Sequence, residues 1–336
     1  MKTYIIAEVG PNHNGSLDLA IEYIEKLSKA GADAVKFQLV TPEKFHSKDS
    51  ILPDYIKFNT GSKNPLDLSR KYQLSFDQHK VLYKKCNEYG INYICSAFDL
   101  VSIKFLNTNF DLPYFKIASG EIFSLDVIEY IAKQNRPILL STGMATIEEI
   151  AISLDLLNEN FKKDITLLHC VSLYPTPYKS VNLNVIKELK NKFSLAVGFS
   201  DHSLGIECAV AAVAIGAEVI EKHVTLDKNL SGLDHKNSIT IEEFELLVKN
   251  IRNVELSLGN TNKIISNEEK VIAKVARKSI VSKRKIKTGE IITEKMICFK
   301  RPGTGFLPIE KEKVIGKRAK RLIKKDRVIK REDIIL

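Results

Sequence analysis

Short apolar runs and amphipathic stretches alternate along most of this 336-residue chain. The first apolar run, at residues 4–9, ends at a Gly-Pro pair and predicts a strand. Between residues 17 and 27, apolar residues recur at spacings of three and four behind Ser16, which predicts a helix with a hydroxyl cap. The same alternation continues to about residue 256.

The pattern gives eight strand–helix repeats, a number typical of a (β/α)8 TIM barrel of about 250 residues. Strands are predicted at residues 4–9, 31–38, 92–98, 114–118, 137–142, 165–170, 195–199 and 219–223. Helices are predicted at residues 17–27, 76–89, 101–107, 125–134, 147–158, 183–191, 206–215 and 241–256. A doubly wound open sheet is the alternative, but it usually has fewer strands, and no Gly-x-Gly-x-x-Gly follows the first strand.

Two segments depart from this alternation. Residues 41–75 are polar and rich in turn-forming residues, so we expect a long loop over the active face. After Gly259 the chain becomes polar and helical, then shows short β-branched runs between glycines and prolines. We therefore predict a barrel domain at residues 1–265, a linker at 266–278 and a small, mostly β domain at 279–336.

The composition indicates a globular protein, with 44% hydrophobic and 27% charged residues. No apolar run approaches the ~20 residues that span a bilayer. The first apolar run meets Glu8 at once, which favours a strand over a signal peptide. Five cysteines without close pairs favour reduced thiols and a cytoplasmic location.

The net charge of +10 comes from the segment between Lys270 and Leu336. Such a segment can bind nucleic acid, form a solvated face or close over an anionic substrate. Its lysines alternate with Ile and Val, without interleaved aromatic residues or a basic amphipathic helix. This pattern disfavours nucleic acid as a partner.

Two histidines, His202 and His223, each follow a predicted strand of consecutive repeats. Parallel strands end at the same edge of a sheet, so the two imidazoles can share one metal ion. The alternative is that each is an ordinary polar residue near a sheet end.

Two lysines, Lys36 and Lys116, lie within predicted strands, where a buried ammonium is costly unless an anion pairs with it. They can face a substrate phosphate or carboxylate together with nearby hydroxyl groups. Alternatively, each pairs with a neighbouring carboxylate, or Lys36 forms a Schiff base. The hydroxyl groups are those of Ser119, Ser141 and Ser200.

Motifs spread over nearly the whole chain resemble the sialic acid synthase family. They lie at residues 8–15, 35–38, 115–121, 140–144, 169–177, 199–202, 221–223 and 300–303. Residues 271–336 resemble the C-terminal antifreeze-like (SAF) domain of that family, and residues 41–75 match it least.

The resemblance implies a metal-dependent condensation of phosphoenolpyruvate with an N-acetylated amino-hexose, releasing phosphate and a nine-carbon 2-keto acid for surface polysaccharides. N-acetylmannosamine would give N-acetylneuraminate, and 2,4-diacetamido-2,4,6-trideoxymannose would give legionaminate. Residues 227–236 and the Phe37-Gln38 pair look closer to legionaminate-type members. Pseudaminate synthesis is the alternative.

The resemblance also assigns roles to individual residues. His202 and His223 would hold Mn2+ or Mg2+, and Glu8 and Glu121 would face the sugar. We count Glu8 and Glu121 with the two histidines as catalytic residues and expect Glu121 to handle the proton; the alternative is that Glu121 forms a salt bridge with Lys116. Phosphoenolpyruvate would be bound by Lys36, Lys116, Ser119, Ser141 and Ser200. The sugar would be bound by Gln38, Tyr174, Asp234 and Arg301, the last coming from the partner subunit of a domain-swapped homodimer.

Other classes of function remain open. A lysine aldolase would use Lys36 or Lys116 as its nucleophile. A non-catalytic glycan or nucleic-acid binding protein would use the basic C-terminal segment and would need no matched histidines. The roles of His13, His169 and His235 are undetermined by the sequence.

Overall fold

The computed structural model describes residues 2–158 and 164–335 of the chain. Its barrel strands are β1 (Tyr4–Glu8), β2 (Ala34–Leu39), β3 (Asn92–Ala97), β4 (Phe115–Ile117), β5 (Ile138–Ser141), β6 (Ile165–His169), β7 (Ala196–Asp201) and β8 (Val219–Thr225). All pair in parallel and in chain order, and β1 also pairs with β8, so the sheet closes on itself. The predicted (β/α)8 barrel is confirmed.

Helices follow the strands, and most of them cover the outside of the barrel. They are α1 (Leu17–Lys29), α2 (Pro42–Phe45), α3 (Asp54–Thr60), α4 (Pro65–Tyr72), α5 (Phe76–Glu88), α6 (Leu100–Asn109), α7 (Leu125–Ala132), α8 (Ile147–Asn158), α9 (Tyr178–Val181), α10 (Val185–Phe193), α11 (Glu207–Ala214) and α12 (Ile241–Leu258). A short strand, β9 (Ile239–Thr240), pairs in parallel with the end of β8 just before α12. Among the described residues, no helix combines the length and apolar character needed to cross a bilayer.

The insertion between β2 and β3 is largely helical, so the prediction of a loop at residues 41–75 was wrong. Its polar sequence contains α2, α3 and α4, each of which starts at or beside a proline. The Asn64 side chain caps α4 by accepting hydrogen bonds from the amides of Leu66 and Asp67. A short helix that buries only one side contains more polar than apolar residues. Its sequence therefore resembles that of a loop.

The interior of the barrel changes from apolar to polar along the strands. One layer is an apolar cluster that includes Ile6, Ala34, Leu139 and Val219. Side chains two residues apart point to the same face of a strand. The next inward positions toward the C-terminal ends are therefore Glu8, Lys36, Ser96, Ser141 and Glu221. The polar residues therefore lie at the C-terminal end of the barrel, and the apolar layer lies beneath them in its interior.

The chain divides into two compact units, residues 1–259 and 260–336. The second unit contains α13 (Asn267–Ala276) and four strands, β10 (Ser279–Ser282), β11 (Ile297–Lys300), β12 (Arg318–Ala319) and β13 (Ile334–Ile335). Its core is built mainly from isoleucines, including Ile280, Ile292 and Ile329. Several predicted β-branched runs form isolated bridges instead of strands, because their side chains fill this small core from irregular backbone.

His79 provides a test of how burial links folding to pH. It lies in α5 with Nδ1 2.6 Å from the Tyr93 hydroxyl oxygen, and burial lowers its pKa to about 3. Below the ordinary pKa of about 6.5, the unfolded chain takes up a proton that the folded protein does not, so stability is lost as pH falls. Between pH 7.5 and 5.5 this site should cost about 1.4 kcal/mol of unfolding free energy.

The His79→Gln variant should lack that cost. Urea unfolding of both proteins at both pH values measures the difference, and the remaining histidines cancel because both proteins contain them. Equal pH dependence in the two proteins would show that His79 does not carry this effect.

Candidate active site

A cavity of about 790 Å3 opens at the C-terminal ends of the barrel strands. This is the end at which (β/α)8 enzymes carry their reactive residues. The predicted site residues that line it are Glu8, Lys36, Gln38, Lys116, Ser119, Ser141, Tyr174, Ser200, His202, His223 and Asp234. The fold therefore brings eleven of the thirteen predicted site residues into one cavity.

Lys36 is buried and already paired with carboxylates. Its ammonium lies 2.9 Å from Oε2 of Glu8 and 3.5 Å from Oε1 of Glu221, and it donates to the Ser96 hydroxyl at 3.2 Å. Burial alone would lower the pKa of Lys36, but the charges of Glu221 and Glu8 reverse the effect and raise it. Lys36 is therefore held as a cation, and the ion pair considered at the sequence level is present.

Lys116 is buried in a different setting. Its ammonium donates to the Ser141 hydroxyl at 2.6 Å and to the Ile117 carbonyl at 3.2 Å. Within the described part of the chain, no carboxylate lies within 4 Å of it. Burial is the largest influence and lowers the pKa of Lys116. An anion bound beside Lys116 would stabilise its charged form.

Glu221 is a site residue that the sequence analysis did not assign. It accepts a hydrogen bond from the Ser200 hydroxyl at 3.1 Å and lies beside Lys36. Burial would raise the pKa of Glu221, but Lys116 and Lys36 together leave it lowered, so the carboxylate is ionised. Its position midway between Val219 and His223 on one strand face is a signal that could have identified it.

The two predicted metal ligands lie together. The ring centroids of His202 and His223 are 5.4 Å apart, and Tyr174 stacks on His202 at 4.2 Å. Burial lowers the pKa of His202 to about 4 and that of His223 well below its usual value. Both imidazoles are therefore neutral, as a metal ligand must be.

The histidine pair fits a divalent metal ion as a partial ligand set. His202 uses Nδ1 for the Val171 carbonyl at 2.8 Å, which directs Nε2 toward the hydroxyl groups of Tyr174 and Ser200. The buried Nδ1 of His223 makes no hydrogen bond to the described residues. These residues also contain no group of three or more His, Cys, Asp and Glu arranged around one metal position. The described residues thus offer two neutral imidazoles as candidate ligands.

Two carboxyl groups, Glu8 and Asp234, face the same cavity and both have raised pKa values. Burial raises the pKa of Asp234 to about 7, with a contribution from the charge of Glu8. Burial also raises the pKa of Glu8, although Lys36 opposes it. Gln38 donates to Oε1 of Glu8 at 2.8 Å and so fixes its orientation. A carboxyl group with a pKa of about 7, as for Asp234, can exchange protons near neutral pH.

Glu121 and Arg301 are not among the residues that line this cavity. Glu121 is buried next to the lining residue Gly120, but its carboxylate accepts a hydrogen bond from the Ser124 hydroxyl. Arg301 belongs to the second unit and is exposed. Its role, which the resemblance assigns through a partner subunit, stays a prediction.

The three undetermined histidines also lie outside the cavity lining. His13 accepts from the Gly15 amide at Nδ1, and His169 lies 2.7 Å from the Val181 carbonyl. His235 contacts the Thr225 hydroxyl at 2.8 Å. Burial lowers the pKa of all three, which is expected for neutral histidines that organise loops.

An ion pair between Lys222 and Asp201 lies on the outward face of the two strands that carry the histidines. Its Nζ–Oδ2 distance is 2.8 Å, and both side chains are almost completely buried. Lys222→Met should lower the unfolding free energy by about 3–5 kcal/mol, because it leaves the Asp201 carboxylate buried without a cation. Denaturant unfolding measures the loss.

An exposed pair of similar length, Lys190 with Glu218, is the matched control. Lys190→Met should cost less than about 1 kcal/mol, because solvent screens that pair. Adding Asp201→Asn to Lys222→Met should recover part of the loss. Similar effects of the two lysine substitutions would contradict the prediction.

The fold is that of a (β/α)8 barrel, and its cavity collects lysines, carboxyl groups and histidines at the C-terminal ends of the strands. Comparisons with known proteins agree, since residues 23–263 match the NeuB family and residues 277–335 match the SAF domain. The chain belongs to the NeuB family, and the predicted resemblance is confirmed.

Known relatives match most of the length of the chain. It is 43% identical over 335 residues to the N,N'-diacetyllegionaminic acid synthase of Campylobacter jejuni, covering 98% of this chain and 99% of the relative. It is 34% identical over 334 residues to the human N-acetylneuraminate-9-phosphate synthase, covering 98% and 92%. The crystal structure of the N-acetylneuraminic acid synthetase of Leptospira borgpetersenii superposes with a TM-score of 0.73 at 31% identity, covering 81% of this chain and 90% of that one.

Proposed function

We propose that this protein is a transferase that condenses phosphoenolpyruvate with an N-acetylated amino-hexose, giving a nine-carbon 2-keto sugar acid and phosphate. The observation that carries this proposal is the buried ammonium of Lys116, which lines the cavity without a carboxylate within 4 Å in the described chain. A multiply charged anion is the ligand that this arrangement would stabilise most. Membership of the NeuB family supports the reaction class.

The two lysines would hold phosphoenolpyruvate between them. Lys116 and Lys36 approach the cavity from strands β4 and β2, and hydroxyl groups of Ser119, Ser141 and Ser200 surround the space. Phosphate and carboxylate groups accept hydrogen bonds from ammonium and hydroxyl donors. This binding fixes the enol carbon relative to the second substrate, and such positioning supplies much of the rate enhancement in bimolecular reactions.

The proposed reaction forms one carbon–carbon bond and breaks one carbon–oxygen bond. The enol C3 of phosphoenolpyruvate attacks the aldehyde carbon of the open-chain sugar, and the aldehyde oxygen takes up a proton. Water adds to C2 and loses a proton, and the tetrahedral intermediate releases phosphate by C–O cleavage. The one water molecule consumed balances the keto acid and phosphate that are formed.

We assign the proton transfers to Glu8 in preference to Glu121. Burial raises the pKa of both carboxyl groups, but Glu8 lines the cavity, whereas the Glu121 carboxylate accepts a hydrogen bond from Ser124 and lies outside the lining. Gln38, Tyr174 and Asp234 lie around Glu8 and the histidines and would contact the sugar. Mn2+ or Mg2+ held by His202 and His223 would supply a Lewis acid for the aldehyde oxygen.

Phosphate release from phosphoenolpyruvate is the experiment that tests this function. We expect release with N-acetylmannosamine or 2,4-diacetamido-2,4,6-trideoxymannose in the presence of Mn2+, and none after addition of EDTA. Absence of phosphate release with both sugars and with the pseudaminate-series isomer would contradict the proposal. The remaining alternative would be a glycan or nucleic-acid binding protein that uses the basic C-terminal unit, whose binding to a nucleic acid should fall steeply with salt.

A lysine aldolase is the second candidate, because the lowered pKa of Lys116 favours a nucleophilic amine. Only a Schiff base is trapped by borohydride. Mass spectrometry after borohydride treatment with both substrates should therefore show no covalent adduct on Lys116 or Lys36 if the condensation proposed above is correct. An adduct on either lysine would favour the aldolase.

We also propose a domain-swapped homodimer in which Arg301 completes the sugar site of the partner subunit. Arg301→Ala should then raise KM for the sugar at least about tenfold, with little change in KM for phosphoenolpyruvate, because one charge-assisted contact to the sugar is lost. Mixing the Arg301→Ala protein with a Lys116→Met protein should restore activity, since one hybrid site contains both native residues. Failure of subunit mixing to restore activity, with exchange confirmed, would contradict the swap.

We place the protein in the cytoplasm. All five cysteines are free thiols, and three of them, Cys86, Cys95 and Cys170, are buried. Free thiols are typical of reducing compartments. Phosphoenolpyruvate as a substrate is consistent with this location.

A further inference from the structure

A thiol lies at the edge of the proposed phosphoenolpyruvate site. Cys170 directly follows β6, is buried and lines the main cavity. Its sulfur lies 3.1 Å from the hydroxyl oxygen of Ser119, a residue that follows β4 and lines the same cavity. The reaction proposed above gives this thiol no role.

The contact between Ser119 and Cys170 passes over the end of β5. This strand lies between β4 and β6 in the sheet, and Gly143 follows it by two residues. A Cβ atom at Gly143 would lie 2.8 Å from Ser119 Oγ and 3.0 Å from Cys170 Sγ. Because any side chain at residue 143 would push the two groups aside, the glycine permits the contact between them.

The Ser119 hydroxyl has one proton to donate and two lone pairs to accept with. The Gly143 amide donates to Ser119 Oγ at 3.1 Å and so occupies one lone pair. The geometry of the contact with Cys170 allows either group to donate. If the thiol donates, it occupies the second lone pair, and the hydroxyl proton is left for a ligand in the cavity.

The Cys170 thiol keeps its proton at neutral pH. Burial raises the pKa of Cys170, although the hydrogen bond with Ser119 and the charge of Lys116 oppose the rise. A thiolate could only accept a hydrogen bond, so it would take the Ser119 proton away from a ligand. It would also offset the positive charge that Lys116 offers to an anion. The neutral thiol avoids both effects.

We infer that Cys170 is a positioning residue whose thiol donates to Ser119 and directs the Ser119 hydroxyl proton toward phosphoenolpyruvate. This inference rests on the proposed function and adds a residue to that site. The ionised phosphate and carboxylate oxygens of the substrate accept hydrogen bonds and do not donate them, so Ser119 must donate to them. Among the three groups in contact, the thiol and the Gly143 amide are then the donors to Ser119.

The alternative is that Cys170 only fills space between the strand ends. Two substitutions separate these cases, because alanine removes the donor whereas serine is smaller than cysteine but keeps one. If the donor matters, only alanine should weaken the site. If volume matters, both substitutions should weaken it.

Isothermal titration calorimetry of phosphoenolpyruvate with the whole protein, in the presence of Mn2+ and without sugar, tests the inference. Cys170→Ala should raise Kd by about three- to tenfold, the contribution of one neutral hydrogen bond. Cys170→Ser should bind with a Kd within about twofold of native. Partial unfolding cannot imitate this result, because it changes the number of binding sites and not the Kd of the folded ones.

A double-variant cycle connects the thiol to Ser119. Ser119→Ala should raise Kd by about tenfold or more, because a hydrogen bond to a charged ligand is lost. Adding Cys170→Ala to it should change Kd by less than about twofold, since the hydroxyl that the thiol positions is already absent. Cys86→Ala removes another buried thiol, on α5 outside the cavity lining, and is the matched control with an unchanged Kd.

Steady-state phosphate release by Cys170→Ala provides a second measurement. KM for phosphoenolpyruvate should rise by the same factor as Kd, and KM for the sugar should stay within about twofold of native. A general disturbance of the cavity would raise both constants.

The outcomes separate this inference from the proposed function. A native Kd in Cys170→Ala would overturn the inference and leave the proposed function intact. So would equal losses in the alanine and serine variants, or additive losses in the double variant. Failure of the native protein to bind phosphoenolpyruvate would contradict the proposed function, and this inference with it.

Discussion

Replacing Lys116 by methionine should reduce phosphate release from phosphoenolpyruvate by about a thousandfold. A preorganised charge that contacts an anion in a water-poor cavity typically contributes this much or somewhat less. Methionine keeps the apolar stem in place and removes only the ammonium, so it isolates the electrostatic contribution. The loss should appear in kcat/KM for phosphoenolpyruvate in steady-state assays.

The same substitution should not destabilise the protein. The Lys116 ammonium is buried, and its burial lowers its pKa, which means that the folded state disfavours the charge. We therefore expect Lys116→Met to have a thermal unfolding midpoint no lower than that of the native protein. Lys84→Met, at an exposed position on α5, is the matched control and should change neither activity nor stability.

Two results would contradict the role of Lys116. Activity of Lys116→Met within tenfold of native would show that the anion is held elsewhere in the cavity. A large fall in the unfolding midpoint would show that the ammonium serves the fold, because its hydrogen bonds to Ser141 and Ile117 would then outweigh the cost of burying it.

Replacing either His202 or His223 by glutamine should abolish metal-dependent activity, with a loss of at least about a hundredfold. Each imidazole would provide one of the two nitrogens that the described residues offer at the proposed metal position. Because the ligands act as a unit, the double variant should be little worse than either single variant. Titration of Mn2+, followed by its paramagnetic resonance signal, should show the loss of binding directly.

His79→Gln is the matched control for the histidine pair. It also replaces a buried neutral histidine, but it lies outside the cavity lining and should bind Mn2+ normally. If His202→Gln and His223→Gln both bound Mn2+ as tightly as the native protein, the histidine pair would not be the metal site. An additive loss in the double variant would mean that the two imidazoles have separate roles.

The hydrophobic pattern predicted the barrel because strands and helices alternate with distinct periods. Parallel strands buried on both faces appear as short apolar runs, and amphipathic helices repeat at three and four residues. The same pattern did not predict the helices of the insertion at residues 41–75, because they are short and only partly buried. Its contribution to the cavity wall depends on packing against Leu233, which is more than 150 residues away in the chain.

Much of the candidate site could be predicted from the residues at the C-terminal ends of the predicted strands. The rule that barrel enzymes act at the C-terminal end of the sheet was sufficient to select Lys36, Lys116, His202 and His223. The same rule did not separate Glu221 from its outward neighbour Lys222, because adjacent residues on a strand face opposite sides. The strand register shows that Glu221 joins the lysines whereas Lys222 pairs with Asp201 behind them.

The sequence by itself determined the fold class, the family and the residues available for chemistry, because periodicity and motifs are local properties of the chain. Only the tertiary structure decided which carboxylates face the cavity. It also decided which of the two lysines has no carboxylate within 4 Å among the described residues, and which structure the insertion at residues 41–75 forms. Those features depend on distances between residues far apart in sequence. Burial and neighbouring charge, which set the pKa values of Glu8, Lys116 and Asp234, exist only once the barrel has closed.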